Sequence, residues 1–132
     1  CRRMAQQMTP QAASALDKLR AAALALPEAD EKLSHGMPAF FIQKGKMFAY
    51  FWHRHHGDDV TAAIVKTSGT EEQAMLIEME PDLYYRPPYF GPSGWVGIHL
   101  DRADIDWDRV ADRVAISWEL VAPRRLLEAG GR

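Results

Sequence analysis

The sequence predicts an α+β domain: a single antiparallel sheet with helices packed on it, in the order α-β-β-β-α-β-β-α. Three observations carry that prediction. Apolar residues recur at helical spacing near both ends of the chain, through Leu16, Leu19, Ala23 and Leu26 and again through Trp107, Val110, Val114, Trp118 and Val121. Between them, short aromatic and β-branched runs are separated by turns containing glycine. The 132 residues fit one domain, long enough to bury roughly two-thirds of the unfolded surface. The domain is expected to span 1–132, with 1–8 as a flexible N-terminal extension.

Each element follows from its local chemistry. Thr9 and Pro10 open the first helix, a cap followed by a proline whose missing N–H costs nothing in the first turn. Pro27 stops it, and PEADEKLSHGMP reads as a loop broken by Gly36 and Pro38. AFFIQ and MFAYFW flank the turn signal KGK, and VTAAIVK follows the polar turn RHHGDD, giving a three-strand meander. In its middle strand Met47, Ala49 and Phe51 alternate with Phe48, Tyr50 and Trp52, so both faces are apolar; one should meet helices and the other is either covered by something else or left as a sticky surface. Thr70 and Gln73 form a capping-box pattern ahead of a short helix that Pro81 ends. LYYR and WVGIHL make two more short strands, joined by PPYFGPSG. Asp106 caps the last long helix, and Pro123 kinks or ends it before RRLLEA.

Composition narrows the function. Sixteen Lys and Arg stand against eighteen Asp and Glu, a formal net charge of −2, so no strong overall field draws the chain to nucleic acid or anionic membranes. Cys1 is the one cysteine, which excludes a disulfide framework or a cysteine-based zinc site within the chain and points to a cytoplasmic protein. No apolar run approaches membrane-spanning length.

Several residue groups invite a chemical reading. His53 and His55 share one side of an extended strand, with His56, Asp58 and Asp59 in the turn beyond; imidazoles and carboxylates are transition-metal donors. A solvated hairpin turn explains the same residues, and His53 and His55 remain weak metal candidates. The start of the KTSGTEEQ helix attracts anions as any exposed helix start does, but lacks the glycine-rich loop and trailing Lys-Ser/Thr of a nucleotide site. GPSG is one residue short of a nucleophile elbow, leaving Ser93 as a turn residue. Asp106 and Asp108 are explained by helix capping, without calcium. No catalytic signature is present, so neither an enzyme nor a cofactor is expected.

The stretch YYRPPYFGPSGWVGIHL carries three prolines, three glycines and five aromatic rings. Pro87, Pro88 and Pro92 fix backbone angles while Gly91 and Gly94 permit tight turns, so a stiff crossing is expected. Its rings either close one end of the core or line a groove. With His35-Gly36-x-Pro38-x-Phe40, Lys46-x-Phe48-Ala49, Pro87-Pro88-Tyr89 and Gly94-Trp95 in this order, the chain resembles the MmcQ/YjbR family from the first helix to Leu126. The resemblance implies a compact α+β domain of the kind called a double wing, and a DNA-binding role. Many members carry an Asn-Lys-x-His-Trp-like motif where this chain has Gly91-Pro92-Ser93-Gly94-Trp95, keeping the tryptophan without the basic residue and histidine.

Two functions follow as expectations. In the first, weak and salt-sensitive DNA binding uses Lys44, Lys46, Arg86, Tyr89, Trp95, Arg124 and Arg125. In the second, a small molecule or protein, including a second copy of the chain, contacts an aromatic outer face around Tyr50 and Trp52. An enzyme would instead require His35, His99 and a carboxylate to converge in one pocket.

Overall fold

A computed structural model of the chain describes residues 9–53, 60–102 and 104–129. The expected extension at 1–8 lies outside the described residues, as do Cys1, His55, His56, Asp58 and Asp59. Helix α1 (Pro10–Leu24) begins as its sequence requires, with Thr9 Oγ1 accepting the Ala12 N–H at 3.1 Å. The strands are β1 (Ala29–Ser34), β2 (Met37–Ile42), β3 (Met47–His53), β4 (Thr61–Val65), β5 (Tyr84–Tyr85) and β6 (Val96–His99). Helix α2 (Thr70–Met79) separates β4 from β5, and α3 (Trp107–Val121) and the short α4 (Arg124–Glu128) follow β6.

The six strands form one antiparallel sheet in the order β1-β2-β3-β4-β6-β5. It has one strand more than the five read from sequence, and the addition is β1. ADEKLS shows no apolar alternation, yet it pairs with β2 along its whole length. Two features make it a strand. His35 and Gly36 both take positive φ (53° and 81°), the geometry of a two-residue hairpin turn. Arg20 of α1 then grips Glu31 through Nε and Nη2, at 2.7 and 3.0 Å.

The sheet face toward α1 and α3 holds the main core, including Leu19, Phe40, Phe51, Val65, Ile98, Val114 and Trp118. Phe48 joins this face, against the simple alternation expected. Phe40 pairs with Ala49 and Phe41 with Met47, so Phe48 is the extra residue of a β-bulge and both Phe48 and Ala49 are buried on the helix side. The buried Ser117 hydroxyl ties the bulge to α3, donating to the Phe48 carbonyl at 2.5 Å and accepting the Lys66 N–H at 2.9 Å. Asp106 caps α3 as expected, accepting from the N–H groups of Asp108 and Arg109.

The other face carries Met37, Trp52, Ala62 and Ile64. Its cover is the 86–95 crossing: the Phe90 ring sits 4.8 Å from that of Tyr50, and Trp95 5.7 Å from Tyr50. Trp52 is left only 1% exposed. The aromatic outer face expected as a contact surface is therefore filled by the chain itself, and the rings of the crossing are divided between closing this second core and facing solvent.

Candidate nucleic-acid interface at one end of the sheet

Strand register decides which candidate residues meet. Ala29 pairs with Ile42, Phe41 with Met47, Ala49 with Val65, Val65 with Val96, and Tyr85 with Gly97. Everything that leaves the sheet along this row stands at one end of it: Glu28, the 43–46 turn, Lys66, Arg86 and Trp95. The turn is closed by Ile42 N–H to Lys46 O at 3.0 Å and Gly45 N–H to Ile42 O at 2.7 Å, and it presents Lys44 and Lys46. Arg125 joins the same end through a two-pronged bond to Glu28 at 2.7 and 2.8 Å. That bond, followed by the charges of Arg125 and Lys44, holds the Glu28 carboxyl below its ordinary range. Arg124 lies near Glu128 on its own helix, at 3.6 Å.

The seven residues singled out from sequence thus fall into two kinds. Lys44, Lys46, Arg86, Tyr89 and Trp95 belong to the hairpin and the crossing, whereas Arg124 and Arg125 are already engaged by carboxylates. Lys66 was not foreseen. Its ammonium sits 5.8 Å from the centre of the Trp95 ring, a cation–π contact that links β4 to the crossing. Only the pairing of β4 with β6 puts Lys66 beside a ring twenty-nine positions along the chain, so no local motif announces it.

A buried clamp fixes the crossing. The Gln73 side-chain amide donates to Gly91 O at 2.9 Å and Trp95 O at 2.6 Å. The Thr67 hydroxyl lies 2.8 Å from Gly69 O and 2.5 Å from Gly94 O. These contacts replace the expected capping box: Gly69 is the N-cap, Thr70 is already helical, and Gln73 faces the crossing. Glu72 supplies the reach-back instead, accepting the Ser68 N–H at 2.8 Å. Gly94 has φ +90°, and a Cβ there would lie 3.1 Å from the Gly69 backbone. The Arg86 stem packs so closely over Gly91 that a Cβ would meet it at 2.7 Å.

At the apex stands Tyr89, with φ +67°; the residue is 75% exposed. Phe90 N–H bonds Pro88 O at 2.7 Å, which closes a γ-turn centred on Tyr89, and Gly91 N–H bonds Pro87 O at 2.9 Å. A γ-turn of this hand is rare and strained for a residue with a side chain.

The opposite end of the sheet holds different chemistry. His53 Nδ1 lies 2.8 Å from Thr61 Oγ1, and its ring stacks near Phe51. Among the described residues, no three His, Cys, Asp or Glu side chains stand close enough to share a metal ion. A cavity of about 690 Å³ opens there, lined in part by Lys18, His53, Thr61, Arg102 and Trp107. His99 stacks on Tyr85 at 4.6 Å, with Nδ1 3.8 Å from Asp101.

The YjbR family profile matches residues 24–120, which take in all six strands, α2, the crossing and most of α3. The chain belongs to the YjbR family. The fold agrees with it: this YjbR chain is similar to the crystal structure of the Deinococcus radiodurans protein DR2400, which carries a DUF419 domain. The two share 18% identity and a TM-score of 0.66, over 87% of each chain. No curated protein matches this YjbR chain. Among its described residues no helix is long and apolar enough to cross a membrane.

Proposed function

We propose that this YjbR protein binds nucleic acid at the basic end of its sheet, without catalysing a reaction on it. The observation that carries the reading is that Lys44, Lys46, Lys66 and Arg86 all leave the sheet at one end, where Lys66 stands over the Trp95 ring and the crossing carries the exposed Tyr89. Cations contact phosphates and exposed rings contact bases, the two parts of a nucleic-acid footprint. With an overall charge of −2, affinity rests on that local cluster and falls in the micromolar range or weaker, about 10⁻⁴–10⁻⁶ M.

The absence of catalysis in this reading has a geometric support. His35 lies in the β1–β2 turn and His99 ends β6, at least three strand spacings apart, or roughly 14 Å at ~4.8 Å per strand. Two histidines so placed do not share a proton. A cytoplasmic setting completes the proposal, since a lone cysteine suits a reducing compartment. A second reading, binding of a small molecule, is favoured by the cavity beside Lys18 and Trp107, whose volume falls within the usual range of ligand sites.

Fluorescence anisotropy with labelled DNA tests the proposal. Binding at low salt should fall steeply as salt is added, with a slope of about −0.9 per phosphate neutralised on duplex DNA. Lys44→Glu with Lys46→Glu should weaken binding about tenfold or more. A flat titration with both duplex and single strands at high protein concentration rejects it.

A further inference from the structure

We propose that β1 is a self-pairing edge: two copies of the chain join their β1 strands antiparallel about a two-fold axis at Glu31, so that the sheet of one copy continues into the other.

Strand β1 ends the sheet, with β2 on one side and no strand on the other among the described residues. Peptide groups along an antiparallel strand turn alternately to its two sides. Glu28 O accepts the Gln43 N–H at 2.8 Å, so residues 28, 30, 32 and 34 direct theirs toward β2. Those of Ala29, Glu31 and Leu33 point outward. Three local facts agree. Ala29 N–H bonds Leu26 O at 3.2 Å, Glu31 N–H bonds the Asp30 carboxylate at 2.8 Å, and Pro38, opposite Leu33, has no N–H to give. The β1–β2 register runs without a shift, and Leu33 on this open edge is 74% exposed. Such an edge is a template for another strand unless something defends it.

The side chains select the partner. Charges on an edge ordinarily keep a second copy away. Here their order favours one. Ala29 packs on the main core and Glu31 on Arg20 of α1, so Ala29, Glu31 and Leu33 lie on the helix side. Asp30 and Lys32 share the opposite face, with the Lys32 ammonium 4.8 Å from the centre of the Phe41 ring. A two-fold axis brings residues opposite each other only when they lie on the same face, which leaves few registers. Centred on Glu31, it sets Asp30 against Lys32 of the second copy and Ala29 against Leu33, each twice. Centred on Asp30 or on Lys32, it sets that charge against its own copy. Centred on Leu33, it runs into the His35 turn. Glu31 does meet itself at the axis, but Arg20 holds each carboxylate at 2.7 and 3.0 Å, so two ion pairs meet there and not two bare charges. On pairing, Glu31 N–H passes from Asp30 to the carbonyl of its counterpart, and the released Asp30 carboxylate turns to Lys32. Leu33 N–H goes to Ala29 O. Backbone bonds supply the attachment, and the alternating charges supply the preference for a second copy.

Sedimentation equilibrium of the full chain at low salt tests this, with the wild type beside Asp30→Lys, Lys32→Asp and the double exchange. The wild type should pass from monomer to dimer at about 0.1 mM, as suits a small interface, and stop there because each β1 is then used. Each single reversal sets like charges opposite in two places and should weaken dimerisation about tenfold or more. The double exchange recreates the opposite-charge pairs and should restore dimerisation to within about threefold of the wild type. Both positions are exposed in the monomer, so the Tm of dilute protein should be unchanged in all four. A monomer at every concentration overturns the proposal and leaves the charges as a defence of the edge. A dimer indifferent to the single reversals, or one that the double exchange fails to restore, also overturns it and assigns association to another surface.

Discussion

Gly94 and Gln73 show how much of the crossing rests on single residues. Gly94 is constrained twice, by its positive φ and by the Gly69 backbone 3.1 Å from where a Cβ would stand. Gly94→Ala should therefore destabilise the protein by about 1–3 kcal/mol or more, read from the midpoint of a urea transition. Gln73 is 4% exposed and satisfies two carbonyls. Gln73→Leu keeps the volume but leaves Gly91 O and Trp95 O without their donor, at about 1–3 kcal/mol for each buried group that water cannot reach. Residues with local partners were legible in the sequence: Thr9 and Asp106 cap the helices they precede. Gln73 was misread because Thr-x-x-Gln is a sound capping pattern, and nothing local reveals that its amide bonds a carbonyl twenty-two positions away. Tyr89 was named as a candidate, but its backbone angle was invisible, since X-Pro-Pro-Tyr does not demand positive φ.

Between elements, an ion pair joins Glu72 of α2 to Arg113 of α3. Glu72 Oε2 lies 3.5 Å from Arg113 Nη1, and the Arg113 side chain is 10% exposed. Arg113 Nε and Nη2 are buried without a partner among the described residues. Glu72→Ala would leave that guanidinium uncompensated, whereas Arg113→Met would remove both the charge and its unsatisfied N–H groups. Glu72→Ala should then cost more than Arg113→Met, with the buried-pair figure of about 3–5 kcal/mol as its ceiling, reduced by the exposure of Glu72. Thermal melts of both variants check the order. The Glu72 carboxyl is held below its ordinary value, first by the Ser68 N–H and also by Arg113. A depressed carboxylate contributes stability above its unfolded pKa and loses it as pH falls through the folded one. Below about pH 5 the wild type should therefore lose stability more steeply than Glu72→Gln. At this scale the legible parts were those with a period. Strands β2 to β4 and the long helices announced themselves, whereas β1 did not: an edge strand held by Arg20 and a two-residue turn needs no apolar alternation.

Across the whole molecule, a net charge near zero conceals a partial grouping, with Lys18 and Arg102 among the carboxylates at one end and Glu28 among the cations at the other. The hairpin lysines, Lys66 and Arg86 lie at one end of the sheet. Asp101, Asp104, Asp106 and Asp108 follow β6 at the other, where Leu100 N–H bonds Thr61 O at the start of β4. Sequence counts cannot show this, because the grouping depends on register between strands some thirty residues apart. Charge changes should consequently act by position. Lys66→Glu should weaken DNA binding, whereas Asp101→Asn, which changes net charge the other way, should leave affinity within about twofold by anisotropy if the far end takes no part. Fold class was legible because it needs only the types and order of elements. The candidate site was legible only in fragments, since its assembly is a property of the closed sheet.

The strand order also sets a timetable for how the chain reaches its native state. Strands β1 to β4 pair with their sequence neighbours and can zip up by local turns. The last sheet contact cannot, because β6 must slot beside β4 after α2 and β5 have been laid down, closing a loop of some thirty residues. Loop closure of that length delays the step relative to hairpin formation. Substitutions at Val96 or Ile98 should accordingly speed unfolding and leave the refolding rate nearly untouched, while those at Phe40 or Phe51 should slow refolding. The Arg86 and Trp95 side of the candidate surface then takes shape after the hairpin that carries Lys44 and Lys46.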